Sequence, residues 1–251
     1  MIVELDGLVF NDDIPDPDGT LWYVTGLEGW DSPGLRQSVV APTSRHGGVV
    51  AVALLDARAL VLKGIVKATS TPNFWKAWHG LQGQTNNIYD TKTFRVTEGA
   101  VERESGVVRA GNLRYEMLGM NAFQFELPLT APDPLKYDPN PVETTLAAGA
   151  TVTLTNNGSF VTERVTLTAS ANGHVNVVNN EFGDRGVVTN QEVPAATTFD
   201  ALTRDVRSPE GRNLYGNLSP MSSWWGLQPG ENSIKNWGTE TVYVTHYHAW
   251  L

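Results

Sequence analysis

Two hydrophobic periods organise the chain. In Ala122-Phe123-Gln124-Phe125-Glu126-Leu127 apolar and polar side chains alternate strictly, so Phe123, Phe125 and Leu127 share one face and Gln124 and Glu126 the other. That is the pattern of a half-buried antiparallel strand. Runs rich in β-branched and apolar residues predict strands over 21–25, 49–55, 59–66, 93–97, 107–115 and 122–129. Asp16-Pro17-Asp18-Gly19 is a turn signal just ahead of Leu21 and predicts the first hairpin there. One segment breaks the alternation. Around Thr71-Pro72, apolar residues at Phe74, Trp78 and Leu81 follow the i, i+4, i+7 spacing of a helix, with the Thr71 hydroxyl as N-cap and Pro72 at the first helical position. A single amphipathic helix is expected over 72–82, with Trp75 and Trp78 as its core anchors.

Four prolines between Pro132 and Pro141 then interrupt every period. Proline removes a ladder donor and forces the preceding residue to be extended, so this stretch predicts a boundary. The expected organisation is a β domain over 1–131, a Pro-rich junction over 132–141 and a second domain over 142–251. In the last, 151–155 and 165–169 alternate strictly, with turns at Asn156-Asn157-Gly158 and Ala171-Asn172-Gly173. Such short strands predict a β-sandwich. A further short strand is expected around Trp224–Leu227, and 242–251 reads as one closing strand.

Composition supports a mainly β fold, with 27 Val and 25 Thr in 251 residues. There is no Cys, which removes disulfide frameworks and thiolate zinc sites. The net charge of −9 argues against a groove that grips nucleic acid and against an anionic membrane as partner. The N-terminus lacks the basic flank and apolar run of a signal peptide, and no stretch approaches the ~20 apolar residues of a membrane span, so a soluble protein made in a cytoplasm is expected. One acidic excess is local: Glu4, Asp6, Asp12, Asp13, Asp16, Asp18, Glu28 and Asp31 precede the first basic residue, Arg36.

Motifs for catalysis are missing. There is no Gly-x-Ser-x-Gly elbow and no phosphate loop. The acids before Gly19 do not fit a calcium loop, because Ile14 stands at the first ligand position and Thr25 at the closing one. His246 and His248 have metal-like spacing but no third ligand near in sequence. No enzyme activity, cofactor or metal is therefore expected. Four tryptophans, Trp224, Trp225, Trp237 and Trp250, fall in the last 28 residues. They read either as a sugar-stacking face or as packing residues, with Trp225 and Trp250 in the sandwich core.

The run Trp224-Trp225-Gly226-Leu227-Gln228-Pro229-Gly230-Glu231-Asn232-Ser233-Ile234, preceded by Arg212-Asn213-Leu214-Tyr215-Gly216 and ended by Tyr247-x-x-Trp250-Leu251, resembles the C-terminal domain of siphophage distal tail proteins and related minor tail proteins. Gly26-Leu27-Glu28-Gly29-Trp30-Asp31 with Pro33-Gly34 and His46-Gly47-Gly48 is similar to the N-terminal domain of that family. Ala131-Pro132-Asp133-Pro134-Leu135-Lys136-Tyr137 resembles its domain junction, and Asn156-Asn157-Gly158-Ser159 the start of its second sandwich. The resemblance implies a virion component of the tail tip: an N-terminal domain forming a ring, usually a hexamer, at the end of the tail tube, and a galectin-like C-terminal sandwich docking baseplate or adhesion proteins. Partners would be further copies of the chain, the tube protein and tail-tip proteins. DNA would pass through without specific binding, which leads to the expectation that some of the eight early acids face the lumen. The alternative is a carbohydrate-binding sandwich using its Trp-rich face.

Overall fold

The computed structural model describes residues 1–41, 46, 49–86, 89–182 and 185–251. Gly47 and Gly48, part of the sequence resemblance, lie outside the described residues. The fold is mainly β, with one α-helix among the described residues, and it divides into two compact units, Met1–Lys136 and Tyr137–Trp250.

The first unit contains β1 (Ile2–Leu5), β2 (Leu8–Phe10), β3 (Leu21–Glu28), β4 (Leu35–Val40), β5 (Val49–Leu55), β6 (Arg58–Lys67), α1 (Thr71–Thr85), β7 (Lys92–Glu98), β8 (Val101–Arg109), β9 (Arg114–Gly119) and β10 (Ala122–Ala131). Its main sheet runs β2-β1-β7-β8-β10-β6-β3, with β9 on β10, while β4 and β5 form a separate two-stranded ribbon. The sheet curls until its two edges meet: Asn11, just after β2, donates its backbone N–H to the Trp22 carbonyl (2.9 Å) and accepts from the Val24 N–H (2.8 Å). As the alternation predicts, Phe123, Phe125, Leu127 and Leu129 of β10 and Leu60, Leu62 and Val66 of β6 are buried. The helix lays Phe74, Ala77, Trp78, Leu81 and Thr85 on this core, with the Phe74 and Trp78 rings 5.0 and 5.8 Å from Phe123.

Four expectations are corrected here. The first hairpin joins β1 to β2 through Asp6-Gly7, both at positive φ (49° and 88°); this two-residue turn matches the strand twist, and Asp-Gly is its usual sequence. Asp16–Gly19 is a turn, but β3 beyond it pairs with β6. The helix is capped by Ser70, whose hydroxyl accepts from the Asn73 N–H (3.3 Å), and runs on to Thr85, because Gly80 and Gly83 sit on its exposed side where tertiary packing does not oppose them. Trp75 points to solvent, 43% exposed, one position out of phase with the buried stripe.

The span 107–115 is two strands, β8 and β9, not one. Pro128 explains the break. Its carbonyl accepts from the Ala110 N–H (3.0 Å), so the side of β10 that lacks a proline donor is the side where β8 ends and β9 begins.

A two-residue strand, β11 (Lys136–Tyr137), spans the boundary. The second unit then contains β12 (Val142–Leu146), β13 (Thr151–Asn156), β14 (Val165–Ala169), β15 (Asn176–Asn179), β16 (Arg185–Val188), β17 (Thr198–Asp200), β18 (Asp205–Arg207), β19 (Gly230–Asn236), β20 (Val242–His246) and β21 (Ala249–Trp250). Two sheets, β12-β20-β14-β17-β18 and β13-β19-β15-β16, enclose a core that includes Leu154, Leu167, Val177, Phe199, Trp225, Ile234 and Val244. This is the expected β-sandwich. The closing strand is broken after His246, and Trp224–Leu227 is not a strand: Leu227 makes an isolated bridge, exchanging both backbone hydrogen bonds with Thr162 (2.8 and 3.0 Å). Gly226 permits that approach, since a Cβ there would stand 2.4 Å from the Thr162 carbonyl oxygen.

Candidate functional site

The eight early acids are distributed over turns and strand faces. Glu4 on β1 stands in register with Arg95 on β7, and the Arg95 guanidinium lies 3.2–3.4 Å from carboxylate oxygens of Glu4, Glu102 and Glu104. Asp6 pairs with Lys92 (2.9 Å), Asp18 with Lys76 (2.6 Å) and Glu28 with Lys63. Such exposed pairs contribute about 0–1 kcal/mol each, but they cancel half of the local charge. Asp16 organises its own turn: one oxygen accepts from the Asp18 and Thr20 N–H groups (2.9 and 2.8 Å) and the other from the Trp22 indole (3.0 Å). Asp12 accepts from the Ile14 N–H (3.2 Å), and Asp13 and Asp31 are exposed. Asp31 lies within electrostatic reach of the Arg58 and Lys136 cations, so among the described residues Asp12, Asp13 and Asp16 are the early acids with no cation facing them.

The charge that sequence reasoning missed is Arg58. It occupies an inward position of β6, in phase with Leu60 and Leu62, and is fully buried. Its guanidinium donates to three carbonyls: Pro134 from Nε (3.0 Å) and Nη2 (2.6 Å), and Trp30 and Gly29 from Nη1. Lys136 also donates to the Trp30 carbonyl (3.2 Å). Burial holds both cations below their usual pKa ranges, with each other's charge acting the same way on Lys136. Gly29, at φ +80°, lets the chain pass against β6, because a Cβ there would lie 1.9 Å from the Ala59 oxygen. Extending the alternation of Leu60, Leu62 and Val66 back by one step finds Arg58 in the inward phase.

The four C-terminal tryptophans occupy different environments. Trp225 is buried in the sandwich core and Trp224 packs half-buried against it. Trp250 is half-buried, outside that core cluster, with its ring 6.0 Å from His248, which corrects its expected core role. Trp237 is 60% exposed, and the Lys235 ammonium lies 3.5 Å from its ring centroid.

His246 and His248 are both buried, with ring centroids 5.6 Å apart. His246 Nε2 lies 3.2 Å from the Thr155 carbonyl, and Nδ1 has no partner among the described residues. Desolvation pushes the His246 pKa down, the Thr155 carbonyl opposes this, and His248 adds to the depression. In the unfolded chain His246 takes up a proton near pH 6.5, so below that pH the unfolded state binds more protons than the folded state. This stability is fully present above about pH 6.5 and is lost as pH falls toward the folded value. Melting temperature against pH should fall below that point, and a His246→Gln variant should show a flatter acid limb; an unchanged slope would refute the assignment.

Among the described residues no group of three or more His, Asp or Glu could hold a metal, and no helix is long and apolar enough to cross a membrane. A groove of about 440 Å³ opens on the outer face of the first unit's sheet, lined by Lys63, Arg114, Glu116, Gln124 and Glu126 among others. It is open and of mixed charge. The surface is more distinctive than any cavity: the β4–β5 ribbon exposes Leu35, Val39, Val40, Val50 and Leu54, and β9 exposes Tyr115, Met117 and Leu118.

Neither a scan of protein-family models nor a search of curated proteins returns a match to this sequence. Solved structures do match. The SPP1 Dit (gp 19.1) protein, described as a paradigm of hub adsorption apparatus in Gram-positive infecting phages, aligns with 100% of this chain and 99% of its own at 17% identity and a TM-score of 0.74. A chain of the phage P2 baseplate in its activated conformation with Ca aligns over 98% of this chain and 97% of its own, at 7% identity and a TM-score of 0.60. The same baseplate with Sr gives 97% and 97%, 7% identity and a TM-score of 0.58. Over its whole length, through both units, the chain has the fold of these phage hub and baseplate proteins.

Proposed function

We propose that this chain is a structural, non-enzymatic component of a phage tail tip. Its N-terminal unit forms a homo-oligomeric ring, a hexamer by the resemblance, at the end of the tail tube, and its C-terminal sandwich docks baseplate or adhesion proteins. The observation that carries this reading is the end-to-end match to the SPP1 Dit protein, in which neither chain leaves a domain unaligned. The outer edge of β9, unpaired among the described residues, supports it, since closed assembly removes edges that would otherwise template aggregation. In such a ring Asp12 and Asp13 are the best candidates among the eight acids to face the channel, where like charge keeps a polyanion off the wall. A sugar-stacking role for the tryptophans has less support, because Trp225 is core and the Lys235 ammonium stands over Trp237.

Size-exclusion chromatography with light scattering, followed by cryo-microscopy of the same fractions, tests the reading. The expected result is a closed ring with the sandwiches at its outside. A monomer at all concentrations, alone and with the tube protein, would refute it. A lumen lined by Arg36 or Lys63, with the acids on the outer rim, would remove the channel assignment alone.

A further inference from the structure

We propose that β9 of one copy pairs antiparallel with β9 of a second copy, about a two-fold axis at Tyr115. This goes beyond the ring reading, because a two-fold contact joins chains in pairs. Among the described residues β9 pairs only with β10, and no backbone group of 113–119 bonds to any other segment. Its outer edge therefore presents a row of free donors and acceptors. All six of its residues are exposed. Tyr115 and Met117 are 39% and 53% exposed although they stand in register with the buried Phe125 and Phe123, and the Tyr115 ring lies 4.3 Å from Trp78 of the helix. The core side of the sheet is thus left open at this edge, and one more strand would cover it.

The residues around Tyr115 specify which strand fits. The segment Gly111-Asn112-Leu113-Arg114-Tyr115-Glu116-Met117-Leu118-Gly119 complements itself when reversed. Laid antiparallel to its own copy with Tyr115 opposite Tyr115, it sets Leu113 opposite Met117 and Arg114 opposite Glu116, each pair occurring twice. Directly opposite residues share a face. The tyrosines and the Leu113–Met117 pairs fall on the core side, where Leu113 already packs against the core, and both ion pairs fall on the outer face. Residues 114–117 run in unbroken register with β10, the shift lying beyond them at Ala122, so the alternation holds through the paired stretch.

The outer face carries the charge order this register needs. Lys63 of β6, Glu126 of β10 and Arg114 of β9 stand in one cross-strand row. Glu116 of the second copy continues that row, so the signs alternate across the new boundary. Arg114 makes no hydrogen bond or ion pair within the described chain, and Glu116 bonds only the Gln124 amide. Other registers fail. A slip of one residue sets Tyr115 opposite Glu116 and joins the core side of one copy to the outer face of the other, and the nearest registers that keep the faces put Glu116 on Glu116 or Arg114 on Arg114. Only a second copy can supply the strand, since β9 cannot lie beside itself. Together with a cyclic contact elsewhere on the unit, the pair would stack two rings with dihedral symmetry.

The absence of Cys makes the test direct. In a full-length Tyr115→Cys variant the two introduced thiols face each other across the axis, within disulfide reach, and mild oxidation should give a covalent dimer. Leu118→Cys, whose copies would lie about 20 Å apart, should give none. In sedimentation velocity, Arg114→Glu and Glu116→Arg should each weaken self-association about tenfold, with thermal unfolding of the chain kept. An equimolar mixture of these two variants should restore it, because their strands complement each other and no longer themselves. A wild-type oligomer that gives neither the disulfide nor the rescue would overturn the β9–β9 contact and leave the ring standing. Monomers at every concentration, alone and with the tube protein, would overturn both. Disulfide-linked pairs that close into no ring would uphold this contact and refute the ring.

Discussion

Arg58→Ala is expected to cost the N-terminal unit about 3–5 kcal/mol. The substitution strands the carbonyls of Gly29 and Pro134, which now accept from one fully buried guanidinium, and leaves the Trp30 carbonyl to Lys136 alone, and it opens a cavity at an inward position of β6. Arg58→Met separates the two contributions. It keeps most of the apolar stem and none of the donors, so its loss should be smaller than that of alanine yet remain above about 2 kcal/mol. Lysine should fall between methionine and arginine, since a single ammonium cannot match a planar fork that reaches carbonyls on two segments. Urea denaturation followed by tryptophan fluorescence reads the effect directly, because the Arg58 guanidinium sits 5.9 Å from the Trp30 ring centroid. A methionine variant within about 0.5 kcal/mol of wild type would show that the network is dispensable. The same variant should raise hydrogen exchange at Leu135, whose segment Arg58 holds through Pro134.

Much of this architecture is legible in the sequence where one period dominates. β10 reads cleanly because its apolar face is unbroken from Phe123 to Leu129, and α1 reads cleanly because Phe74, Trp78 and Leu81 mark one stripe. Local chemistry blurs the rest. Pro128 fits the alternation of β10, yet its missing donor decides where the neighbouring strand is interrupted, and that depends on which side of β10 the proline faces. Arg58 is hidden by its charge: its position continues the apolar phase, but a cation there is sensible only once three carbonyls are seen to converge on it. Trp75 misleads for the converse reason, since its size suggests core while its helical phase puts it outside. The exposed apolar surfaces are illegible in linear form. The run Val49–Leu55 looks like a buried strand, and only the sheet topology shows that, among the described residues, the ribbon it builds joins no other sheet.

Asn236→Ala and Asn156→Ala are each expected to cost the sandwich about 2–4 kcal/mol. These two residues perform the same task at opposite ends of the β13–β19 pair, where the chain leaves the four-stranded sheet for the other sheet. In each, the side-chain oxygen accepts from the glycine N–H two residues on, 2.8 Å at Gly238 and 2.9 Å at Gly158. In each, Nδ2 donates to the carbonyl four residues on, 2.7 Å to Glu240 and 2.8 Å to Phe160. Nδ2 also reaches a distant strand or bridge, the Leu146 carbonyl from Asn236 (3.2 Å) and the Leu227 carbonyl from Asn156 (3.1 Å). The glycines are part of the same device: a Cβ at Gly158 would stand 1.9 Å from the Ala249 oxygen, and one at Gly238 2.5 Å from the His174 oxygen. Both asparagines are almost completely buried, so their donors and acceptors have no water to fall back on. The informative variant is aspartate, which keeps the shape and the accepting oxygen but turns the donating Nδ2 into a second oxygen facing two carbonyls. Asn236→Asp should therefore destabilise at least as much as Asn236→Ala at neutral pH, and should recover as pH falls and the carboxyl gains a proton it can donate. Thermal unfolding of both variants at neutral and acidic pH checks this. An aspartate variant as stable as wild type at neutral pH would show that the donated bonds contribute nothing.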